Sequence, residues 1–293
     1  MRLKTVTRTQ GNNAALKDGT VTPNGFEFEF EEVDPLIRAF RRMVSEREYD
    51  VCELAITTYL CAKEHGARFT ALPIFLVRGF HHGAIVANGV RDPKELEGKK
   101  VGVNRGYTVT TGVWARGILA DEHGVDLDKV TWVLSGDEHV AEYRPPANVV
   151  SMEPGKDLGE MLAAGELAAA IGVDGFGPLL PNAEEAGFDA LRERGHYPIN
   201  HVIVVRDELL YAAPTVFDAF ERAKDAYVER LRNDEIENAT PTDRMYKRVL
   251  EITGEDPLPY GVEPNRATIE ELIDHAVRQK ILTRRPDVES LFV

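Results

Sequence analysis

The chain of 293 residues is long enough to bury one large core or the cores of two lobes of ordinary size. Its formal net charge of −14 argues against general nucleic-acid binding, because contacts to phosphate require an excess of Lys and Arg. No apolar run approaches the roughly 20 residues of a membrane span, and the N-terminal segment carries no export signal. We therefore expect a cytoplasmic protein that has neither nucleic acid nor a membrane as a partner.

Up to residue 87, strand-like and helix-like segments alternate, which predicts an α/β fold. Strands are expected at 3–7, 26–31, 49–55, 74–77 and 84–87. A first helix should follow the second strand, with Asp34 as its cap and Pro35 in its first turn. A second helix, opened by Thr57 and Thr58, should end at His65.

The alternation continues beyond residue 87. Strands are expected at 100–103, 130–134 and 168–173, and helices at 108–123 and 157–165. We interpret 135–156 as a loop whose charges are mostly solvated. The chain then returns through a strand at 201–205 and a helix at 214–233, and Thr268 with Glu271 would form a capping box for a last helix.

The two cysteines, Cys52 and Cys61, are too few for a disulfide framework. We interpret both as reduced thiols of the core, because free cysteine is among the most buried residue types. A nucleophilic role is the alternative, but Cys52 lies inside a predicted strand, which is a poor position for a nucleophile. The sequence leaves the oligomeric state open, and a homo-oligomer is one of the options.

Two apolar strands, 84–87 and 202–205, flank the middle section and are interpreted as paired crossovers between two lobes. Lobe one would comprise 1–88 and 200–293, and lobe two 89–199, with a hinge and an interlobe cleft. Ligands of such α/β folds lie in the crevice beyond the strand ends. We therefore expect the cleft to hold a small molecule.

The stretch GVNRGYTVTTGVWARGIL, residues 102–119, predicts a strand, a tight turn and a helix start. Thr108, Thr110 and Thr111 lie in or next to the first helical turn. Unpaired backbone N–H groups at a helix start attract anions, and hydroxyls add donors. A bound carboxylate is therefore one interpretation, and a simple helix cap is the other.

VCELAITTYL, residues 51–60, repeats this pattern with Glu53 in the strand and Thr57 at the helix start. A carboxylate in an apolar strand is either buried with a partner or directed at the cleft. Both alternatives stay open. Burial against a ligand carboxylate would raise the pKa of Glu53 and suit it to donate a proton.

Between two apolar runs, RGFHH supplies Arg78, His81 and His82. Adjacent residues of an extended segment point in opposite directions, so one histidine should face the cleft, and His82 lies closer to the crossover. A satisfied structural histidine is the alternative. A divalent metal with Glu53 as a further ligand is conceivable, but no HxxxH or HxH spacing supports it, and we expect no metal site.

Further candidates lie in turns and at the return strand. Asp174, in GVDGFGP, either reaches the cleft or stabilises its turn. Arg144 could bind a second carboxylate, and His201 lies at the return crossover. The sequence contains no GxSxG motif and no Walker loop, which argues against a serine hydrolase and a P-loop nucleotide site.

Three segments carry a resemblance to a known family: 69–87, with its strand–Arg–x–Phe–x–His pattern, 95–119, and the EYRPPAN segment at 142–148. Over most of its length the chain resembles the 4,5-dihydroxyphthalate decarboxylase group, which looks like type II periplasmic binding proteins recast as enzymes. The resemblance implies a two-lobed α/β fold with a cleft. It also implies loss of carbon dioxide from a hydroxylated aromatic acid without an organic cofactor.

The resemblance also implies roles for the candidates. The helix start at 108–111 would hold substrate carboxylates together with Arg105, His82 would deliver a proton, and Glu53 or His201 would lie near the phenolic groups. Arg8 completes the substrate-binding candidates. The competing hypotheses are a solute-binding protein of an ABC-type transporter for a small carboxylic acid, and a sensing module or cofactor-biosynthesis enzyme on the same scaffold.

Overall fold

The computed structural model describes all residues from 1 to 293 and divides the chain into two compact units. Unit 1 comprises Met1–Gly79, Ile199–Ile269 and Pro286–Val293, and unit 2 comprises Phe80–Pro198 and Glu270–Arg285. The first boundary therefore lies nine residues before the predicted one, at 79/80 against 88/89. The segment 270–285, which the sequence had placed in lobe one, belongs to unit 2.

Unit 1 is built on a five-stranded mixed sheet, sheet 1, with strand order β2-β1-β3-β10-β4. Its strands are β1 (Arg2–Val6), β2 (Glu27–Phe30), β3 (Val51–Ala55), β4 (Phe69–Arg78) and β10 (Ile199–Arg206). β1 pairs parallel with β2 and β3, whereas β10 runs antiparallel to β3 and β4. β1, β2, β3 and β4 therefore end at one edge of the sheet, where β10 begins.

Five helices belong to unit 1: α1 (Ala14–Lys17), α2 (Ile37–Glu46), α3 (Ile56–Glu64), α7 (Ala213–Arg232) and α8 (Pro241–Thr253). The apolar stripe of α7 explains its position, since Val216, Phe220 and Ala223 are buried in one cluster with sheet residues such as Leu72 and Ile203. Burial of this helix face fixes α7 over sheet 1.

Unit 2 contains sheet 2, a second mixed sheet of order β5-β9-β6-β7-β8. Its strands are β5 (Ile85–Ala87), β6 (Lys100–Val103), β7 (Thr131–Leu134), β8 (Val149–Ser151) and β9 (Ala169–Ile171). Its helices are α4 (Thr110–Asp121), α5 (Leu158–Ala163) and α6 (Ala183–Arg194), and α9 covers Arg266–Arg278. A separate core packs α5 against sheet 2 through Leu158, Leu162, Val133 and Ala170.

The two strands interpreted as crossovers belong to different sheets. β5 pairs antiparallel with β9 in sheet 2, and β10 lies in sheet 1 between β3 and β4. β5 is an edge strand, and its backbone also bonds to Gly177 and Leu179 outside the sheet. This pairing also explains why the structure assigns residues 85–87 to unit 2.

Four elements escaped the sequence analysis: α1, β8, α6 and α8. Two predicted helix starts were also misplaced. α2 begins at Ile37 with Leu36 as its cap, so Asp34 does not cap it. α9 begins at Arg266, so Thr268 lies inside its first turn.

None of the helices combines the length and apolar character that a membrane crossing requires. Cys52 and Cys61 are both buried and free.

Candidate functional site

The candidate site of unit 1 lies at the edge of sheet 1 where four strands end. Arg8 follows β1, Arg78 is the last residue of β4, and His201 lies near the start of β10. The register pairs His201 with Ala55, the last residue of β3. Since parallel strands end at one edge of the sheet, residues far apart in the sequence meet here.

Glu53 is the central residue of this edge. Its side chain is 0% exposed, and both carboxylate oxygens have partners. Oε2 accepts a hydrogen bond from the backbone N–H of Arg8 at 2.8 Å, and Oε1 lies 2.6 Å from Nδ1 of His201. Of the two alternatives for this residue, the structure supports the buried and partnered carboxylate.

His201 is oriented by Glu53 and by a ring contact. Its imidazole meets the ring of Phe40 edge-on, with 5.3 Å between the ring centroids. Because a carboxylate accepts hydrogen bonds, Nδ1 of His201 is the donor, which leaves Nε2 for another partner. The side chain is 19% exposed, whereas Glu53 is fully buried. The pair thus presents one imidazole, held in a fixed orientation, that can exchange protons with solvent or a ligand.

A cavity of about 240 Å³, here called the loop cavity, lies next to Arg8, whose backbone N–H binds Glu53. It is lined by the loop after β1 and by α7 and α8, through Arg8, Thr9, Gln10, Gly11, Asn12, Tyr227, Thr240, Thr242, Asp243 and Tyr246. Burial raises the pKa of Tyr246 to about 12, and the charges of Arg78, Arg8 and Glu53 all act on its hydroxyl group. Tyr246 therefore lines the loop cavity and binds the backbone of Arg78 through its hydroxyl group.

Arg78 and Thr57 are both buried at this edge of sheet 1. Nη1 of Arg78 donates to Oδ1 of Asn265 at 2.6 Å, and its backbone N–H donates to the Tyr246 hydroxyl at 3.3 Å. Thr57 lies in the first turn of α3. The guanidinium of Arg78 thus already supports the packing of unit 1, and its role as a substrate ligand stays a prediction.

In unit 2, the predicted anion site at the start of α4 contains an internal carboxylate. Glu138 accepts hydrogen bonds from the backbone N–H of Tyr107, from the backbone N–H of Thr108 at 3.2 Å and from the Thr108 hydroxyl at 2.6 Å. The donors that the sequence analysis had offered to a ligand carboxylate are bound here by a residue of the chain itself. Glu138 is therefore not one of the solvated loop charges that the sequence analysis expected.

The remaining candidates of unit 2 lie in turns or in the first turn of α4. Thr110 is buried and Thr111 is half-buried, whereas Arg105, Arg144 and Asp174 are exposed. The backbone N–H of Arg105 donates to the Ser135 hydroxyl at 2.8 Å. Nη1 of Arg144 donates to the carbonyl oxygens of Ala141 and Tyr143 in its own loop. No contact described here assigns a ligand to these residues, and their roles stay predictions.

His81 and His82 are both buried in unit 2. Nε2 of His82 lies 3.1 Å from each carboxylate oxygen of Glu122, which also binds Arg194. Burial alone would raise the pKa of Glu122, but hydrogen bonds and charge from His82 and Arg194 outweigh it and lower the pKa to about 2. This arrangement favours the structural alternative for His82 over proton delivery, a role that stays untested.

No group of three or more His, Cys, Asp or Glu side chains is arranged to hold a metal ion. The sequence analysis overlooked Glu138 and Tyr246, and it left Asn12 unassigned. Tyr246 was overlooked because α8 was not predicted, although Thr240 and Asp243 form a capping box at its start that could have indicated the helix.

Known proteins with similar sequences and similar structures were found for this chain. No model of a known protein family matches the chain. A 4,5-dihydroxyphthalate decarboxylase of Comamonas testosteroni is 27% identical over 309 residues, covering 94% of this chain and 92% of the relative. A second protein of that name, from Pseudomonas putida, is 34% identical over 171 residues, or 54% of this chain and 64% of the relative.

Among solved structures, the alkanesulfonate-binding protein SsuA of Xanthomonas axonopodis pv. citri, bound to MOPS, matches with a TM-score of 0.56. The match covers 100% of this chain and 98% of that chain at 14% identity, which shows a shared fold. These similarities confirm the resemblance inferred from the sequence: the chain is similar to two proteins named 4,5-dihydroxyphthalate decarboxylase and has the α/β fold of the periplasmic binding proteins.

Proposed function

We propose that the protein is a carboxy-lyase that removes carbon dioxide from a hydroxylated aromatic acid resembling 4,5-dihydroxyphthalate. The similarity to two proteins of that name supports the reaction class. The observation that carries the proposal is the pair formed by Glu53 and His201 at the strand edge, with 2.6 Å between Oε1 and Nδ1. Glu53 also accepts a hydrogen bond from the backbone N–H of Arg8, a residue that lines the loop cavity. A buried carboxylate that orients a partly exposed imidazole is a common acid–base device.

In the proposed reaction, His201 delivers the proton that decarboxylation consumes. Its protonated imidazole, next to the Glu53 carboxylate, transfers the Nε2 proton to the ring carbon that carries the substrate carboxylate. The bond between that carbon and the carboxylate then breaks, its electron pair restores the aromatic ring, and carbon dioxide leaves. A ring hydroxyl assists by donating electron density to the carbon that takes up the proton. Solvent reprotonates His201.

The substrate carboxylates require cations or N–H donors for orientation. Arg8 is the candidate cation of unit 1, because its side chain is exposed and its backbone is bonded to Glu53. Arg105 and the helix start at Thr108 remain predicted contributors from unit 2. Binding between the two lobes was expected from the sequence and stays a prediction.

Incubation with a panel of hydroxylated aromatic acids tests the proposal. Release of carbon dioxide would be measured with and without a chelator, because a metal requirement is a separate question. We expect release from acids that have a hydroxyl group on the ring, with unchanged rates after chelation. Absence of gas from every acid in the panel would refute the proposed reaction.

Solute binding for a transporter is the second candidate function, and the fold shared with SsuA favours it. A pure binder would gain thermal stability from the same acids and release no carbon dioxide. We favour the enzyme and a cytoplasmic location. The two cysteines are free and buried, as is usual in a reducing compartment.

A further inference from the structure

The loop cavity contains a buried acceptor that the proposed reaction does not yet use. Asn12 is 1% exposed and lines the cavity. Its Nδ2 donates to the carbonyl oxygen of Leu76 at 2.8 Å, which fixes the orientation of the amide because a carbonyl can only accept. Oδ1 has no hydrogen-bond partner. Burying an amide oxygen without a hydrogen-bond partner costs free energy, so a ligand that donates a hydrogen bond to Oδ1 would be favoured.

The neighbouring asparagine shows what a purely structural residue does in the same loop. Asn13 is also buried, but both ends of its amide are used. Oδ1 accepts from the backbone N–H of Gln10 at 2.8 Å, and Nδ2 donates to the carbonyl oxygen of Arg8 at 2.8 Å. Both polar atoms of the Asn13 amide therefore stabilise the loop, whereas only Nδ2 of the Asn12 amide bonds to the chain.

Two other hydroxyl groups that line the cavity already donate to a residue of the chain. The Tyr227 hydroxyl donates to Oδ1 of Asp243 at 2.6 Å, and the Thr240 hydroxyl donates to Oδ2 of Asp243 at 2.7 Å. Burial acts to raise the pKa of Asp243, and these hydrogen bonds outweigh it, so the pKa is lowered and the carboxylate stays ionised. The Tyr246 hydroxyl accepts a hydrogen bond from the backbone N–H of Arg78, and its own proton remains available for a second hydrogen bond.

The cavity thus combines one unpartnered acceptor, Asn12 Oδ1, with the unpartnered Nε2 of Gln10, the Tyr246 hydroxyl and the Arg8 cation, which bind acceptors and anions. Its volume of about 240 Å³ is below the roughly 300–1,000 Å³ of drug-sized pockets and suits a molecule with a single ring. A carboxylate or a methoxy group has no proton for Asn12, whereas a ring hydroxyl has one. The chemistry of the cavity therefore matches a hydroxylated one-ring acid.

We propose that Oδ1 of Asn12 accepts a hydrogen bond from a ring hydroxyl of the substrate and makes that hydroxyl a requirement for binding. The inference rests on the proposed function and names the group that the substrate must carry. It also has a consequence for the reaction. An acceptor on the hydroxyl proton increases electron donation into the ring, which assists protonation of the ring carbon.

The test compares ligands that differ only in their hydroxyl groups. Calorimetry would give the dissociation constants of 3,4-dihydroxybenzoate and benzoate for the wild-type protein and for Asn12→Ala. We expect the wild type to bind the hydroxylated acid at least ~10-fold more tightly, and the variant to reduce this ratio to less than ~3-fold. Asn233→Ala is the matched control, because Asn233 is exposed at the end of α7 and should leave the ratio unchanged.

An unchanged ratio in Asn12→Ala, or a wild-type protein that does not distinguish the two acids, would overturn the inference. If Asn12→Ala does not fold, Tyr246→Phe and Gln10→Ala probe the same cavity. Undiminished affinity of both for 3,4-dihydroxybenzoate would equally overturn it. These measurements need no turnover. A protein that discriminates hydroxyl groups but releases no carbon dioxide from 4,5-dihydroxyphthalate would refute the proposed function and leave this inference standing.

Discussion

Glu53 and His201 lie 148 residues apart in the chain, and their side chains meet at 2.6 Å across two neighbouring antiparallel strands. The sheet pairs Glu53 with Ile203 and His201 with Ala55, so the two side chains approach each other diagonally across the ladder. One partner is fully buried and the other reaches solvent. Burial of a carboxylate is costly, and the buried Glu53 carboxylate here bonds the His201 imidazole that it orients.

The first prediction follows from this pair. His201→Asn should lower the turnover of a hydroxylated aromatic acid by roughly 10²- to 10⁴-fold, because general acid–base catalysis typically contributes that much. Glu53→Gln should also lower it, and the double variant should lose little more than His201→Asn alone, since the two residues act as a unit. Rates of carbon dioxide release would measure this. His65→Asn, at an exposed helix end, is the control, and normal turnover in His201→Asn would contradict the assignment.

The second prediction concerns the wall of the loop cavity. A Cβ added at Gly11 would lie 2.6 Å from Cδ2 and 2.9 Å from Cζ of the Tyr227 ring. Gly11→Ala should therefore displace Tyr227 from Asp243 and reduce the free energy of unfolding by ~1–3 kcal/mol, a usual cost of overpacking. It should also weaken the binding of aromatic acids. Urea unfolding and calorimetry would measure the two effects. Gly177→Ala has open space around its Cβ and should change neither.

Local patterns in the sequence predicted much of the fold. The alternation at 26–31 and the apolar stripe at 214–233 correspond to β2 and α7. Such patterns have periods of 2 and 3.6 residues and need no knowledge of distant residues. The candidate residues Glu53 and His201 were found in the same way, as polar residues at the ends of apolar strands. α6 was overlooked because small residues such as Ala183, Gly187 and Ala190 form most of its buried face. α8 has a regular stripe of Tyr246, Val249 and Leu250 that could have predicted it.

The partners of the candidate residues could not be predicted, because each partner lies far away in the sequence. Glu138 reaches the start of α4 from 30 residues downstream of Thr108, and Glu122 reaches His82 from 40 residues away. A helix start predicts that an anion will bind but does not say whether the chain supplies it. The same holds for Asn12, whose bond to Leu76 spans 64 residues.

The third prediction concerns the dependence of stability on pH. The pKa of Glu122 is about 2 in the folded protein, below its ordinary value of 4.5, because bonds to His82 and Arg194 outweigh burial. A lowered pKa means that the carboxylate stabilises the fold above about pH 4.5 and that this contribution is lost as the pH falls toward about 2. Glu122→Gln should therefore cost on the order of 1 kcal/mol near pH 7, once solvent screening is considered.

Urea unfolding of the wild type and of Glu122→Gln across this pH range would check the third prediction. The difference between the two proteins should shrink steadily below about pH 4.5. Glu193→Gln, at an exposed position of α6, should match the wild type throughout. A difference that stays constant down to about pH 2 would show that Glu122 stabilises the protein by packing rather than by charge.

The fourth prediction uses Glu138 to test the anion site at the start of α4. Glu138→Ala removes the acceptor of the Tyr107 and Thr108 donors and should reduce the free energy of unfolding by ~1–3 kcal/mol. Because the vacated donors favour a carboxylate, acetate should raise the melting temperature of the variant by several degrees more than that of the wild type. Glu142→Ala, at an exposed position of the same loop, should show neither effect. Equal responses of Glu138→Ala and Glu142→Ala to acetate would mean that these donors do not select a carboxylate.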